Sequence, residues 1–143
     1  MKLIRRIPMM AFMLVLYDIL VLVKDETLLG NRLFTIKMMS GAQWMLAVGD
    51  LLLVIGLLCL FAEIYKSTRT NEAEIVDHIL STLIFVIYIV EFIIMRQAGT
   101  TVFFLLTLMS LFDVVAGFTI TIKTARRDFT MDRDTSMIVP PGN

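Results

Sequence analysis

Four long apolar segments alternate with short polar segments along the chain. The apolar segments cover about residues 7–23, 42–65, 75–95 and 101–122. Each is close to the roughly 20 residues that a helix needs to cross a bilayer. The pattern predicts an all-α fold in which residues 1–125 form a bundle of four transmembrane helices. Residues 126–143 are charged, end in PPGN and are predicted to be a disordered tail.

The first apolar segment shares one feature with signal peptides, because basic residues precede it. Asp18 interrupts the apolar run, however, and no small-x-small cleavage site comes before Lys24. We therefore expect an uncleaved first helix.

The distribution of basic residues predicts the orientation of the four helices. Nine of the 13 basic residues lie on the side of the termini: Lys2, Arg5, Arg6, Lys66, Arg69, Lys123, Arg126, Arg127 and Arg133. The other four lie on the opposite side: Lys24, Arg32, Lys37 and Arg96. Because cytoplasmic loops carry the excess of Lys and Arg, both termini are predicted to be cytoplasmic.

The first outer loop, Leu28–Gly41, mixes apolar residues with Arg32 and Lys37. Two interpretations fit this composition. The loop either lies flat on the membrane surface as a short helix or forms an irregular loop packed over the bundle.

Composition agrees with a membrane protein. Of the 143 residues, 58% are hydrophobic and 18% are charged, whereas soluble domains have about 45–50% and 25%. Mean hydropathy is +0.84. The expected partner is therefore the lipid bilayer, and the expected location is a bacterial inner membrane. Little length remains for a soluble catalytic domain, and the net charge of zero gives no indication of nucleic acid. The single cysteine, Cys59, excludes an internal disulfide and a zinc motif.

The third segment carries its polar residues on one helical face. At 3.6 residues per turn one stripe collects five positions: Asp77, Ser81, Ile84, Tyr88 and Glu91. This stripe is predicted to face the bundle. Four apolar residues are predicted to face lipid or apolar neighbours: Phe85, Val86, Ile89 and Ile93.

Small residues predict where helices approach each other closely. Ala42, Gly49 and Gly56 recur every seven residues in the second segment, followed by Glu63. Gly117 shares a face of the fourth segment with Asp113. Because small side chains let helix backbones approach, these residues are predicted helix-packing positions.

Ionisable residues fall into two predicted layers. Asp18, Asp50 and Glu91 lie in the outer layer, and the inner layer consists of Glu63, Asp77 and His78. Asp113 lies between them. Because a carboxylate at the bilayer centre costs about 2.5–3.5 kcal/mol, such residues need a partner, a proton or water.

Two interpretations of these layers remain open. Glu63 and Asp77 either sit at headgroup level, paired with Lys66, Arg69, Arg126 or Arg127, or face the bundle interior. His78 is either an interfacial histidine with its hydrogen bonds satisfied or a ligand. The outer three either act separately or converge as a proton or hard-cation site, without a resident metal or other cofactor. Asp113 is expected to hydrogen-bond Ser81 or Tyr88, or to remain protonated.

The segments LFAEIYKS (Leu60–Ser67) and EIVDHIL (Glu74–Leu80) resemble the second and third helices of the voltage-sensor family of four-helix domains. The resemblance implies a similar bundle in which Glu63 and Asp77 form an inner acidic pair. The fourth segment, TTVFFLLTLMSLFDVVAGFTITIK, lacks the arginine ladder that moves in the membrane field. The resemblance therefore concerns the architecture of the bundle, and the missing arginine ladder argues against voltage sensing.

Two functional hypotheses follow. The first is a non-enzymatic membrane protein that serves as an accessory or structural subunit, either in a homo-oligomer or in a larger membrane complex. The alternative is a small oligomer that conducts ions or protons through Asp18, Asp50, Glu91 and Asp113. An enzyme is not expected, because the sequence contains no nucleophile–base motif and no phosphate loop.

Overall fold

The computed structural model describes residues 7–24, 26–67 and 74–136. Its four α-helices are α1 (Met9–Lys24), α2 (Val48–Ser67), α3 (Glu74–Ile94) and α4 (Thr101–Ser136). Short 3₁₀ helices cover Glu26–Gly30 and Arg96–Ala98. Between α1 and α2, strands β1 (Arg32–Lys37) and β2 (Gln43–Ala47) pair antiparallel. The described chain is therefore mostly helical, with a small two-stranded sheet.

The first outer loop was predicted to be either a short surface helix or an irregular loop. Both predictions are wrong, because most of this segment belongs to a β-hairpin. Alternating apolar and polar residues in RLFTIK, followed by QWMLA, pair across the two strands. Gly41 adopts a φ of 85° in the turn, a conformation that glycine accepts without steric cost. The predicted second span also begins too early, because α2 starts at Val48. Ala42 is exposed in the turn and is not a helix-packing residue.

Side-chain caps fix the starts of α2 and α4. Asp50 Oδ2 accepts a hydrogen bond from the Ala47 backbone N–H at 2.9 Å. Thr100 Oγ1 accepts one from the Phe103 N–H at 3.1 Å. Both bonds satisfy donors that the helix itself leaves without partners. Strand β2 ends at Ala47 and passes directly into α2 at Val48. Helices α3 and α4 are joined by the tight turn around Arg96–Ala98.

Helix α4 packs against both α2 and α3, while α1 packs mainly against α2. At the centre of the bundle, the Phe103 ring lies 4.8 Å from the Tyr17 ring and 5.4 Å from the Tyr88 ring, measured between centroids. All three side chains are buried. These aromatic contacts join α1, α3 and α4.

Helix α4 is longer than the sequence pattern indicated. It continues to Ser136, whereas the predicted fourth span ends at Ile122 and the predicted disordered tail begins at residue 126. No glycine or proline occurs between Phe118 and Ser136, so no residue with a strong helix-breaking tendency interrupts the helix. Residues 137–143 lie outside the described part of the chain.

Two of the helical segments, Val48–Ser67 and Thr101–Ile120, are long and apolar enough to cross a membrane. Two shorter apolar segments, Met9–Val23 and His78–Ile94, pack beside them. The observed bounds of α1 and α3 agree with the predicted spans to within two residues.

Candidate functional site in the polar interior

The bundle buries polar groups and exposes apolar ones. Among the described side chains, six polar ones are buried: Glu63, His78, Ser81, Thr107, Ser110 and Asp113. Large apolar side chains are exposed on all four α-helices, for example Phe12, Leu58, Ile93 and Phe112. Among the charged side chains described in these helices, Asp50 alone is fully exposed. The interior also holds a hydrophobic core, but so many exposed apolar side chains beside buried charged ones are unusual for a water-soluble domain.

Helix α3 presents its polar stripe to the interior, as its periodicity predicts. Ser81 and Tyr88 are buried and Glu91 is half-buried, whereas Val86 and Ile93 are exposed. Asp77 lies on the same helix, but its side chain is outside the described part of the structure.

Glu63 joins two helices at the end of the bundle where α1 begins and α2 ends. Its Oε2 accepts a hydrogen bond from the Met9 backbone N–H at 2.7 Å, and its Oε1 lies 3.4 Å from Lys66 Nζ. The carboxylate therefore pairs with a basic residue on its own helix and also caps the first turn of α1. With only 4% of its surface exposed, Glu63 is buried in the bundle, and its pairing with Lys66 is one that the sequence suggested.

Asp113 forms the second polar contact at this level. Its carboxyl group accepts a hydrogen bond from the Ser81 hydroxyl, one of the two partners that the sequence suggested. Glu63 and Lys66 are close enough to act on it electrostatically. The other carboxyl oxygen, Oδ2, is buried and has no hydrogen-bond partner within the described chain. A buried oxygen of this kind can accept a hydrogen bond from a donor such as a water molecule.

His78 lies at the contact of α3 with α4. Its ring stacks on Phe118, with centroids 6.2 Å apart and planes at 26°. A Cβ built at Gly117 would overlap the His78 ring, so the glycine provides the space for the imidazole. The Nε2 atom of His78 is buried without a hydrogen-bond partner among the described residues.

Asp18 and Glu91 form the outer polar contact. Their carboxyl groups lie close enough to act on each other across the contact of α1 with α3, and both side chains are half-buried. Glu91 Oε2 is buried without a partner among the described residues.

Asp50 does not join this pair. It caps α2 at an exposed position, so the predicted convergence of three outer carboxylates is limited to two. Within the described chain, no group of three or more His, Cys, Asp or Glu side chains is placed to hold a metal ion.

The predicted small-residue stripe of α2 lies inside the bundle. A Cβ at Gly49 would lie 2.8 Å from Val102 Cγ2, and one at Gly56 would lie 2.8 Å from Leu106 Cδ2. Both glycines therefore allow α2 to approach α4. Because these contacts are within one chain, this stripe is not an open surface for another subunit.

Two tyrosine hydroxyls make contacts between distant parts of the chain that the sequence did not predict. Tyr17 Oη donates to Gln97 O at 3.0 Å and lies 2.7 Å from Thr100 Oγ1. Tyr88 Oη donates to Met10 O at 3.0 Å. These bonds attach α1 to the α3–α4 turn and to the middle of α3. A long-range contact of this kind leaves no periodic pattern in a single sequence.

Comparison of the chain with protein-family models, with curated proteins and with solved structures finds no match.

Proposed function

We propose that this chain is a four-span inner-membrane protein that acts without catalysis, as a self-assembling or accessory subunit. The observation that carries the membrane assignment is the inverted surface, which is apolar on every α-helix and encloses the polar groups. Lipid is the solvent that makes this arrangement favourable. The apolar segments of α1 and α3 are shorter than those of α2 and α4, and we assign them as the other two spans.

Assembly is supported by the place of the Asp18–Glu91 pair. Both side chains are half-buried at the contact of α1 with α3, so part of this polar pair faces outward between apolar neighbours. Because polar and ionisable groups are costly in lipid, we propose that a second copy of the chain covers this seam. The two copies would then meet through the α1–α3 side of each bundle, since the glycine stripe of α2 is already in contact with α4.

The non-enzymatic assignment is supported by the burial of the Ser81–Asp113 hydrogen bond. This contact joins a hydroxyl to a potential base, but Ser81 and Asp113 are 6% and 4% exposed. A substrate would not reach the hydroxyl in the folded bundle.

Disulfide crosslinking tests the proposed assembly. In a Cys59→Ala background, Ile19→Cys places a thiol on the exposed side of α1 beside Asp18, and Leu58→Cys places one on the exposed side of α2. We expect oxidised membranes to yield a crosslinked dimer with Ile19→Cys and none with Leu58→Cys. A monomer in both cases, with a monomeric mass in mild detergent, would exclude the self-assembly proposal.

Labelling from each side of the membrane tests the proposed topology. Ser40→Cys lies in the hairpin turn and Ser67→Cys at the end of α2. An impermeant thiol reagent added to intact cells should modify the first variant and spare the second. Outside labelling of Ser67→Cys would refute cytoplasmic termini.

A second candidate function is proton or cation conduction. The specific observation in its favour is the pair of unpartnered carboxyl oxygens, Glu91 Oε2 and Asp113 Oδ2, buried at two levels of the interior. Reconstituted vesicles decide between the two functions. We expect the wild type to show background flux. Wild-type flux that Glu91→Gln abolishes, and that Asp50→Asn leaves intact, would replace the first proposal with conduction.

A further inference from the structure

The β1–β2 hairpin exposes an apolar face. Every residue from Gly30 to Met45 is exposed. Cross-strand pairs Phe34–Leu46 and Ile36–Trp44 lie on the same side of the sheet. The Phe34 and Trp44 rings meet edge to face, with centroids 6.2 Å apart and planes at 77°. The side chains Phe34, Ile36 and Trp44 are called the apolar face below.

The apolar face is not covered by any of the residues that the structure describes. A two-stranded hairpin alone is marginally stable in water, and usually needs a third strand or a packed face. Phe34, Ile36 and Trp44 nevertheless each expose 45–48% of their surface. Apolar surroundings that remove these side chains from water would stabilise the hairpin.

The base of the hairpin is fixed at the outer end of α2. The Val48 N–H donates to Asn31 O at 3.0 Å and closes the hairpin. A Cβ at Gly49 would lie 3.2 Å from Leu29 O, so the preceding 3₁₀ helix packs directly on the start of α2. Trp44 is four residues before the first residue of α2. If α2 spans the bilayer, Trp44 is held near the membrane boundary, where amphipathic rings are favoured.

Charge identifies the preferred surface. Residues 27–49 contain Arg32 and Lys37 and no Asp or Glu. The two cations stand at the two ends of β1. They attract anionic phosphate groups and disfavour a second hairpin of the same charge. Lys37 follows Ile36 and so starts on the opposite side of the sheet, but it stands at the strand end, where its long stem can extend toward phosphates beside the apolar face.

We propose that the hairpin lies on the outer surface of the bilayer, with the apolar face among the lipid headgroups and Arg32 and Lys37 bound to anionic lipid. The proposal rests on the membrane location proposed above. The exposed methionines at the turn, Met38 and Met39, extend the same contact. The hairpin thereby provides a lipid-binding site that is separate from the polar interior.

Trp44 is the single tryptophan of the chain and serves as its own probe. The full-length protein is reconstituted into phosphatidylcholine vesicles with and without phosphatidylglycerol. We expect lipids brominated near the headgroup to quench Trp44 more strongly than lipids brominated near the chain ends. Anionic lipid should increase this quenching. The double variant Arg32→Gln/Lys37→Gln should lose the increase and retain the fold by circular dichroism.

A second probe separates failure of this proposal from failure of the membrane assignment. Leu58→Trp, in a Trp44→Phe background, places an indole on the exposed middle of α2. If deep bromines quench this indole while Trp44 is quenched only by aqueous iodide, the hairpin proposal is overturned and the span remains. If neither probe is quenched by brominated lipid, the membrane assignment fails as well. If Trp44 is shielded from both quenchers and becomes accessible on dilution with lipid, a second copy covers the face, which also overturns lipid binding.

Discussion

The Glu63 carboxylate of α2 caps the first turn of α1, because its Oε2 accepts the Met9 backbone N–H at 2.7 Å. The two residues are 54 positions apart. Helix caps usually come from the residue just before the helix. Here the cap comes from another helix, so the start of α1 depends on the position of α2. The interior carboxylate thus has a defined structural role.

We predict that Glu63→Ala lowers the free energy of unfolding by about 1–3 kcal/mol, since a partly buried N–H at the start of α1 loses its acceptor. Glu63→Gln should cost less because its amide oxygen can still accept that bond. Thermal unfolding in mild detergent, followed by circular dichroism, measures the difference. Leu58→Ala, at an exposed site of the same helix, is the control and should change little. Equal stability of all three variants would show that the cap contributes nothing.

Gly56 gives a prediction about helix packing. A Cβ there meets Leu106 Cδ2 and Met109 Sδ, which are the ends of flexible side chains. We expect Gly56→Ala to be nearly neutral, because higher helix propensity offsets a small shift of these atoms. Gly56→Leu should destabilise the bundle by about 1–3 kcal/mol through overpacking.

The matched control is Leu57→Phe, which adds bulk at the next residue on the exposed side of α2. Its melting temperature in detergent should stay close to that of the wild type. If Gly56→Leu melts at the same temperature as this control, α2 and α4 are not in the close contact described.

Gly117 should be less tolerant than Gly56. The obstacle to a Cβ at Gly117 is the ring of His78, which is held in place by stacking on Phe118. A rigid ring cannot move aside as a methyl end does, so Gly117→Ala should destabilise more than Gly56→Ala. His78→Ala removes the obstacle. In a double-mutant cycle, the cost of Gly117→Ala should therefore be smaller when His78→Ala is also present. Additive effects would argue against this contact.

Tyr17→Phe tests the attachment of α1 to the α3–α4 turn. The variant keeps the ring against Phe103 and loses the hydroxyl contacts to Gln97 O and Thr100 Oγ1. We expect a loss of about 1–2 kcal/mol in thermal or denaturant unfolding. Thr119→Val, which removes an exposed hydroxyl bond within α4, should cost less. A Tyr17→Phe variant as stable as the wild type would mean that these hydroxyl contacts are not needed to hold the turn.

The periodicity of a helix explains why parts of the interior could be predicted from sequence. Spacing alone places Ser81 and Tyr88 on one side of α3 and Ile93 on the other, and their burial confirms this. It also identifies Gly49 and Gly56 as neighbours on one side of α2, where both meet side chains of α4.

The pairing between helices could not be predicted in the same way. Asp18, Asp50 and Glu91 have similar predicted depths, and depth does not specify which side chains meet. In the structure a local bond to Ala47 places Asp50 at the start of α2, while Asp18 meets Glu91. The hairpin was missed because its high apolar content obscured the alternation that marks strands. Helix α4 was cut short because hydropathy records the length of the apolar segment, whereas helix propensity decides where the helix ends.

The length of α4 has a mechanical consequence if the helix spans the bilayer as proposed. At 1.5 Å per residue, 36 residues measure about 54 Å, which exceeds a hydrocarbon core of about 30 Å. With its first turn at the outer surface, the helix would project roughly 20 Å beyond the inner one. A rod of this kind transmits tilt as well as position. A small rocking of the span would therefore swing its far end, near Ser136, through a larger arc than any part of α1 or α2.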